Sequence, residues 1–194
     1  MHKIELLKAL DYVNATRVKR MEMANFVLQR PHVIPILLEI IKEEHPSIST
    51  RACWIIEALA KQDIQLIFAV IDDFVAVLPK LKLESSIRSA AKICELLVTF
   101  HDKEKSDIPD KKLSPKHMGI IIESAFDWLI GEHKVAPKAY SMTTLLLLGK
   151  HHAWVHPALK QVITQNYNSG SAAYKARGRM TLKAIEKMDS YTLR

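Results

Sequence analysis

Hydrophobic residues recur every three or four positions along nearly the whole chain, which is the period of an amphipathic helix. Short clusters of Pro, Ser and Asp interrupt this pattern at intervals. The pattern predicts an all-α fold built from antiparallel helix pairs. The predicted pairs cover approximately residues 3–30, 33–62, 63–100, 114–150 and 153–188.

Local signals mark where some of these helices begin and end. Ser114 followed by Pro115 is typical of a helix start, because serine caps the first turn and proline fits the first helical position. Asp63 is placed to cap the first helix of the third pair, which the pattern predicts as one helix over 63–79. The sequence of residues 167–170, Tyr-Asn-Ser-Gly, predicts a turn.

The second helices of the pairs can be superposed on one another. Arg51, Arg88, Lys138 and Lys175 then occupy corresponding places, at intervals of 37, 50 and 37 residues, and a small residue follows each of them. The long interval contains residues 101–113, a charged insertion that is typical of a solvated loop. A repeat of two helices about every 37 residues is the signature of an α-solenoid. The sequence therefore predicts a right-handed α-α superhelix of about five pairs.

One stretch of the chain resembles a HEAT repeat. In IPILLEIIKEEHPSISTRACWIIEALA a proline lies early in the first helix, a polar turn follows, and Arg51 opens the second helix. FVAVLPKLKLESSIRSAAKICELL is similar, with Arg88 in the arginine place. The resemblance implies a single armadillo-like, HEAT-like domain over residues 1–194, with the basic residue at this place bonding within or between repeats. It specifies a scaffold and no activity.

Composition narrows the class of protein. Apolar residues make up 48% of the chain and charged residues 25%, which is typical of a folded domain. Only 5 of the 194 residues are glycine, and their spacing allows no glycine-rich phosphate-binding loop. Glu5 and Asp11 interrupt the N-terminal apolar stretch, and no window of 18 residues lacks a charge. We therefore expect a cytoplasmic protein without membrane association.

The two cysteines agree with this expectation. Cys53 and Cys94 both fall inside apolar helical patterns. Buried, reduced thiols are the usual state of such residues in a cytosolic protein. We expect neither a disulfide nor a reactive thiol.

Positive charge is concentrated at the C-terminal end of the chain. Residues 133–194 contain ten Lys/Arg and two Asp/Glu, whereas residues 1–132 contain 18 Lys/Arg and 19 Asp/Glu. This distribution indicates either a surface for an anionic partner or the polar outer face that a terminal repeat requires. The candidate binding residues for an anionic partner are Lys134, Lys138, Lys175, Arg177, Arg179 and Lys183.

The chain lacks the common catalytic and metal-binding motifs. It contains neither G-x-S-x-G nor H-E-x-x-H. His152 and His156 have the spacing of a helical metal pair, but Pro157 forces His156 away from helical geometry. We therefore expect no cofactor and no metal. The prediction is a non-catalytic binding scaffold for a protein partner, which docks along the second helices.

A nucleic-acid-binding protein that uses the basic C-terminal third is the alternative. Its one enzymatic form is a HEAT-like DNA glycosylase, which holds DNA in a basic groove with an acid and tryptophans at the lesion. Glu57 near Trp54, and Asp127 beside Trp128, supply these residue types. Both tryptophans lie among apolar residues, so we expect them in the core.

Overall fold

The computed structural model describes residues 2–103 and 113–192, with side chains up to Ser190. Within these ranges the chain is all-helical and contains no strand, as the periodicity predicts. The helices are α1 (Lys3–Asp11), α2 (Arg17–Leu28), α3 (Ile34–Lys42), α4 (Ile48–Gln62), α5 (Gln65–Phe68), α6 (Ile71–Val75), α7 (Glu84–Lys103), α8 (Pro115–Ile130), α9 (Val135–Leu148), α10 (Val155–Asn166) and α11 (Ala172–Thr192). Short 3₁₀ turns lie at Pro31–Val33 and Leu78–Lys80.

The predicted signals at the helix ends are mostly confirmed. The Ser114 hydroxyl accepts a hydrogen bond from the His117 backbone N–H at 3.2 Å, and Pro115 is the first residue of α8. The backbone N–H of Gly170 donates to the Tyr167 carbonyl at 3.2 Å, which closes the predicted turn. Asp63 accepts a 2.9 Å hydrogen bond from the Gln65 N–H, but it lies one residue before Ile64, which is the N-cap of α5.

The prediction of one helix over 63–79 is wrong. The chain forms α5, α6 and a 3₁₀ turn instead, and Val70 leaves the helical region between the two helices with φ −127° and ψ 27°. The buried side chains of this segment are Ile67, Phe68, Phe74, Val75, Val77 and Leu78. On one straight helix they would spread over about half of the circumference at 100° per residue. The break lets all of them reach the core.

The predicted loop at 101–113 begins later than expected. Helix α7 continues to Lys103, so residues 101–103 are helical. Leu113 is buried, and its backbone N–H donates to Nδ1 of His101 at 3.2 Å. The remainder of the predicted loop, 104–112, lies outside the described residues.

The second helix of each predicted pair packs against the second helix of the next pair. Helix α2 contacts α4, α4 contacts α7, α7 contacts α9, and α9 contacts α11. We call these five helices the second-helix row. The first helices pack onto this row: α1 and α3 contact α4, α8 contacts α7 and α9, and α10 contacts α9 and α11. Fully buried aliphatic side chains such as Leu37, Ile55, Leu97 and Leu145 fill the space between them.

Two of the four superposed basic residues bond to neighbouring helices, as the resemblance implies. Arg51 donates from Nη1 to the carbonyls of Leu10 and Asp11, both at 3.3 Å, and to the Asp11 carboxylate at 2.9 Å. It thereby holds the C-terminal end of α1 against α4. Arg88 on α7 donates to the Glu57 carboxylate on α4.

Both cysteines are buried and unpaired, as expected. Burial raises the pKa of the Cys53 thiol to about 12 and that of the Cys94 thiol further still. Within the described part of the chain, no helix combines the length and the apolar character that crossing a membrane would require.

Candidate binding surface

The six basic residues proposed from the sequence lie in three separate places. Lys134 and Lys138 lie in the first turns of α9, Arg177 faces α9 from α11, and the remaining three lie along α11. The structure therefore does not bring the six together into one patch.

Lys134 and Lys138 line an open groove between the start of α9 and the turn from α10 to α11. The groove has a volume of about 530 Å³, and Tyr174 lines its far side. The Glu84 carboxylate already bonds to the start of α9, since it accepts from the Lys134 backbone N–H at 2.8 Å. It also lies 2.9 Å from Nδ1 of His133. Burial on its own would raise the pKa of Glu84, but these two partners outweigh it and lower the pKa.

Lys175, Arg179 and Lys183 form a ridge on α11, as their spacing predicts. They lie on one continuous helix whose buried positions include Tyr174 and Ile185. Arg179 and Lys183 are exposed and Lys175 is partly exposed. Because α11 is the last helix of the row, a solvated outer face accounts for this ridge equally well.

Arg177 lies on a different flank of α11 from that ridge. Its Nη1 donates to the Thr143 hydroxyl of α9 at 3.1 Å. Elsewhere in the row, a cation of one second helix contacts an aromatic ring of the next. The Arg20 guanidinium lies 5.7 Å from the Trp54 ring centroid, and Nζ of Lys92 lies 4.9 Å from the Tyr140 ring centroid.

These side chains share a surface that extends from α2 to α11. We call it the second-helix face and define it by Arg17, Arg20, Trp54, Lys61, Arg88, Lys92, Tyr140 and Arg177. On α7 the partly exposed positions include Arg88, Lys92 and Thr99, which lie within a narrow arc at 100° per residue. This strip carries two cations, Arg88 and Lys92, which pair with the carboxylates of Glu57 and Glu95.

Charge in this protein is divided between the two sets of helices. The five helices of the second-helix row carry fourteen Lys/Arg and seven Asp/Glu, a net charge of +7. The first helices, which are α1, α3, α5, α6, α8 and α10, carry five Lys/Arg and seven Asp/Glu, a net charge of −2. The N-terminal part of the chain is nearly neutral along the sequence, but its helices differ in charge.

Glu57 on α4, an acid that borders the second-helix face, is neutralised by its neighbours. Glu57 is 2% exposed, and its carboxylate accepts from Lys61, Arg88 and the Ser89 hydroxyl, the last at 2.7 Å. Burial on its own would raise the pKa of Glu57, but these donors and the Arg88 charge outweigh it and hold the pKa below its ordinary value. The carboxylate is ionised and internally paired.

One concavity on the second-helix face lies between α2 and α4. This Trp54 cleft has a volume of about 380 Å³ and is lined by Arg17, Arg20, Met21, Trp54, Glu57, Ala58, Lys61 and Gln62. Trp54 packs against the core as expected, but it is only partly buried and its remaining surface forms part of the wall. Three cations and one internally paired acid leave the cleft positive.

Of the two acid and tryptophan combinations suggested for a glycosylase, only one lines a cleft. Trp54 and Glu57 meet in the cleft, but the Glu57 oxygens already accept three hydrogen bonds, which favours a structural ion pair. Asp127 is exposed on α8, a first helix, and Trp128 is buried in the core as expected.

The prediction that Pro157 forces His156 away from helical geometry is wrong, because α10 begins at Val155 and includes both residues. His152 lies three residues before this helix, so the two histidines still do not share one helix. Nε2 of His156 lies 2.9 Å from the Leu146 carbonyl oxygen, so this ring joins α10 to α9. In residues 2–103 and 113–192, no group of three or more His, Cys, Asp and Glu side chains could hold a metal ion.

No protein-family model matches this chain, and comparison with curated proteins and with solved structures gave no match.

Proposed function

We propose that this protein is a non-catalytic binding scaffold whose anionic partner docks on the second-helix face. The observation that carries the proposal is the set of six cations on this face, which belongs to a row of helices with a net charge of +7 against −2 on the first helices. Net charge alone would indicate only solubility, whereas charge gathered on one set of helices favours a partner of opposite sign.

The scaffold part of the proposal is a HEAT-like α-solenoid of about five pairs. Two observations support it: each second helix packs against the next one along the chain, and Arg51 and Arg88 bond across neighbouring helices. An array of this type exposes one long surface of its second helices, which suits an extended partner.

Charge reversal on the second-helix face tests the proposal. The variant Arg17→Glu/Arg20→Glu/Arg177→Glu changes three side chains of this face that make no ion pair in the described part of the chain. The matched control is Lys8→Glu/Lys116→Glu/Lys160→Glu, three exposed residues of α1, α8 and α10. Both triple variants change the net charge of the protein by the same amount.

The measurement is the salt concentration that elutes each protein from immobilised heparin, used as a polyanion probe. We expect wild type and the control to elute at nearly the same salt, and the face variant to elute at much lower salt, because polyanion binding depends on local phosphate- or sulfate-like contacts. Equal shifts for the two triple variants, or no retention of wild type, would overturn the proposal. Circular dichroism verifies that both variants keep their helices.

A further inference from the structure

We propose that the anionic partner is a single-stranded nucleic acid, and that the Trp54 cleft receives one of its unpaired bases. This inference rests on the proposed function, since it specifies what the second-helix face binds. It depends on the chemistry of the cleft and on the kind of cation that surrounds it.

The cleft combines an aromatic wall with guanidinium groups. Trp54 lines it from α4, while Arg17 and Arg20 line it from α2. The Arg20 guanidinium already lies near the indole ring, at 5.7 Å from its centroid. Bases stack on indole rings irrespective of their identity, and arginine binds phosphate through two parallel hydrogen bonds. The cleft therefore offers adjacent sites for a base and for its phosphate.

The floor of the cleft does not repel a phosphate. Glu57 is the acid that lines it, and three donors hold its carboxylate within the protein. Arg17, Arg20 and Lys61 contribute three positive charges around this one acid. A volume of about 380 Å³ lies in the range of sites that accept small planar ligands.

Beyond the cleft, cations continue along the row in the direction a strand would follow. Arg88 and Lys92 lie on α7, where they pair with Glu57 and Glu95, and Arg177 lies on α11 without an ion pair in the described part of the chain. Helix axes in contact are typically 8–10 Å apart, so five helices side by side extend over roughly 35 Å. Tyr140 on α9 adds a second aromatic ring beside Lys92. This sequence of basic and aromatic side chains is the pattern of a single-strand binding groove.

Two other anionic partners, a nucleic-acid duplex and an acidic peptide, fit fewer features of this surface. A duplex presents phosphates to the cations, but its bases are stacked inside and cannot enter the cleft. An acidic peptide satisfies the cations but offers nothing to the exposed part of the Trp54 ring. A single strand satisfies both features, which is why we favour it.

The experiment compares three labelled probes by fluorescence anisotropy at low and physiological salt. They are a twelve-nucleotide oligothymidine, a blunt twelve-base-pair duplex and a twelve-residue oligoglutamate. We expect the single strand to bind at least tenfold more tightly than the other two. A fourth probe is a twelve-nucleotide strand that keeps the sugars and phosphates but lacks the bases. We expect wild type to bind it about tenfold more weakly than oligothymidine.

Protein variants locate the base in the cleft. We expect Trp54→Ala to weaken single-strand binding about tenfold and Trp54→Phe to restore most of it, with oligoglutamate binding unchanged in both. The matched control is Trp154→Ala. Trp154 is 56% exposed, precedes α10, stacks on Phe126 and is not part of the second-helix face. We expect no change from this control.

The outcomes separate this inference from the proposed function. Failure of every probe to bind would overturn both. If oligoglutamate or the duplex binds as tightly as the single strand, the inference is overturned, but the proposal of an anionic partner stands. Equal affinity for the abasic and the normal strand would overturn the base site, whether or not Trp54→Ala folds.

Discussion

At the scale of single residues, Glu57 joins α4 to α7. Its carboxylate accepts from Lys61 on its own helix and from Arg88 and Ser89 on the next helix of the row. The side chain is 3% exposed, and glutamine would replace one of its two acceptor oxygens by an NH2 donor and remove the charge that Lys61 and Arg88 face. We expect Glu57→Gln to reduce the free energy of unfolding by about 2 kcal/mol at pH 7, measured by urea denaturation.

The same substitution has a defined pH dependence. The pKa of Glu57 in the folded protein lies below its ordinary value of 4.5, so its stabilising effect is present above that pH and is lost as the pH falls through the folded-state pKa. We expect the difference between wild type and Glu57→Gln to narrow as the pH falls below about 4.5. Glu123→Gln, at an exposed position of α8, is the control. A difference that stays constant with pH would contradict this account.

Residue roles could be predicted from sequence only where position in a repeat decides them. Arg51 and Arg88 were assignable because the HEAT resemblance relates their place to bonds between neighbours. Glu57 and Trp54 were not assignable in the same way, because their surroundings depend on partners about thirty residues away, including Arg88. Both occur in an apolar helical pattern that predicts burial, and only the packing of α2 against α4 shows that the cleft opens beside Trp54.

At the scale of elements, two glycines differ in the space around them. A methyl group at Gly119, inside α8, would meet nothing within 4 Å. At Gly149, a Cβ would lie 2.0 Å from Cδ2 and 2.3 Å from Nε2 of His156, the ring that bonds to the Leu146 carbonyl. The turn from α9 to α10 therefore needs glycine for close approach, whereas α8 does not.

These surroundings predict opposite effects for the same chemical change. We expect Gly119→Ala to raise the free energy of unfolding by about 0.5–1 kcal/mol, because alanine restricts the unfolded chain and favours a helix. We expect Gly149→Ala to lower it by about 1–3 kcal/mol, because His156 must move. Urea denaturation measures both, and effects of the same sign would refute the explanation.

The helices with strong periodicity and clear caps were predictable, and the third pair was not. Ser114 and Pro115 fix the start of α8 through local chemistry, which the sequence displays directly. The break between α5 and α6 has no glycine or proline at Val70 to announce it. The break instead accompanies the packing of this segment, whose buried side chains come from both helices and from the 3₁₀ turn.

At the scale of the whole molecule, each second helix depends on its neighbours in the row. Helices α4 and α7 have a second helix on both sides, whereas α11 has one on one side only. In arrays of this type stability comes from contacts between neighbours, so opening is easiest at the ends. This property separates a solenoid from a globule that unfolds as a unit.

Hydrogen exchange measured by mass spectrometry tests this arrangement. We expect amides of α4 and α7 to exchange slowest, and those of α1 and α11 to exchange faster through local opening. The comparison of central with terminal helices within one sample is its own control. Uniform protection from α1 to α11 would indicate a single cooperative unit and would contradict the solenoid proposal.

The distribution of charge was only half visible in the sequence. Counting along the chain finds the excess at residues 133–194 but misses the contribution of α2 and α4, because acids of the intervening first helices cancel it. Assigning each charge to the first or the second helix of a predicted pair would have revealed it. The three locations of the predicted basic residues, in contrast, required the actual contacts of α9 and α11.

In the proposed solenoid the positive second-helix row and the slightly negative first helices form opposite layers, which would give the molecule an electric dipole across its thickness. Such a body experiences a torque near any charged boundary, in addition to the attraction due to its net charge of +7. We therefore expect it to approach a negatively charged support with the second helices leading. Protein captured in that way would be oriented with its first helices turned toward the solution.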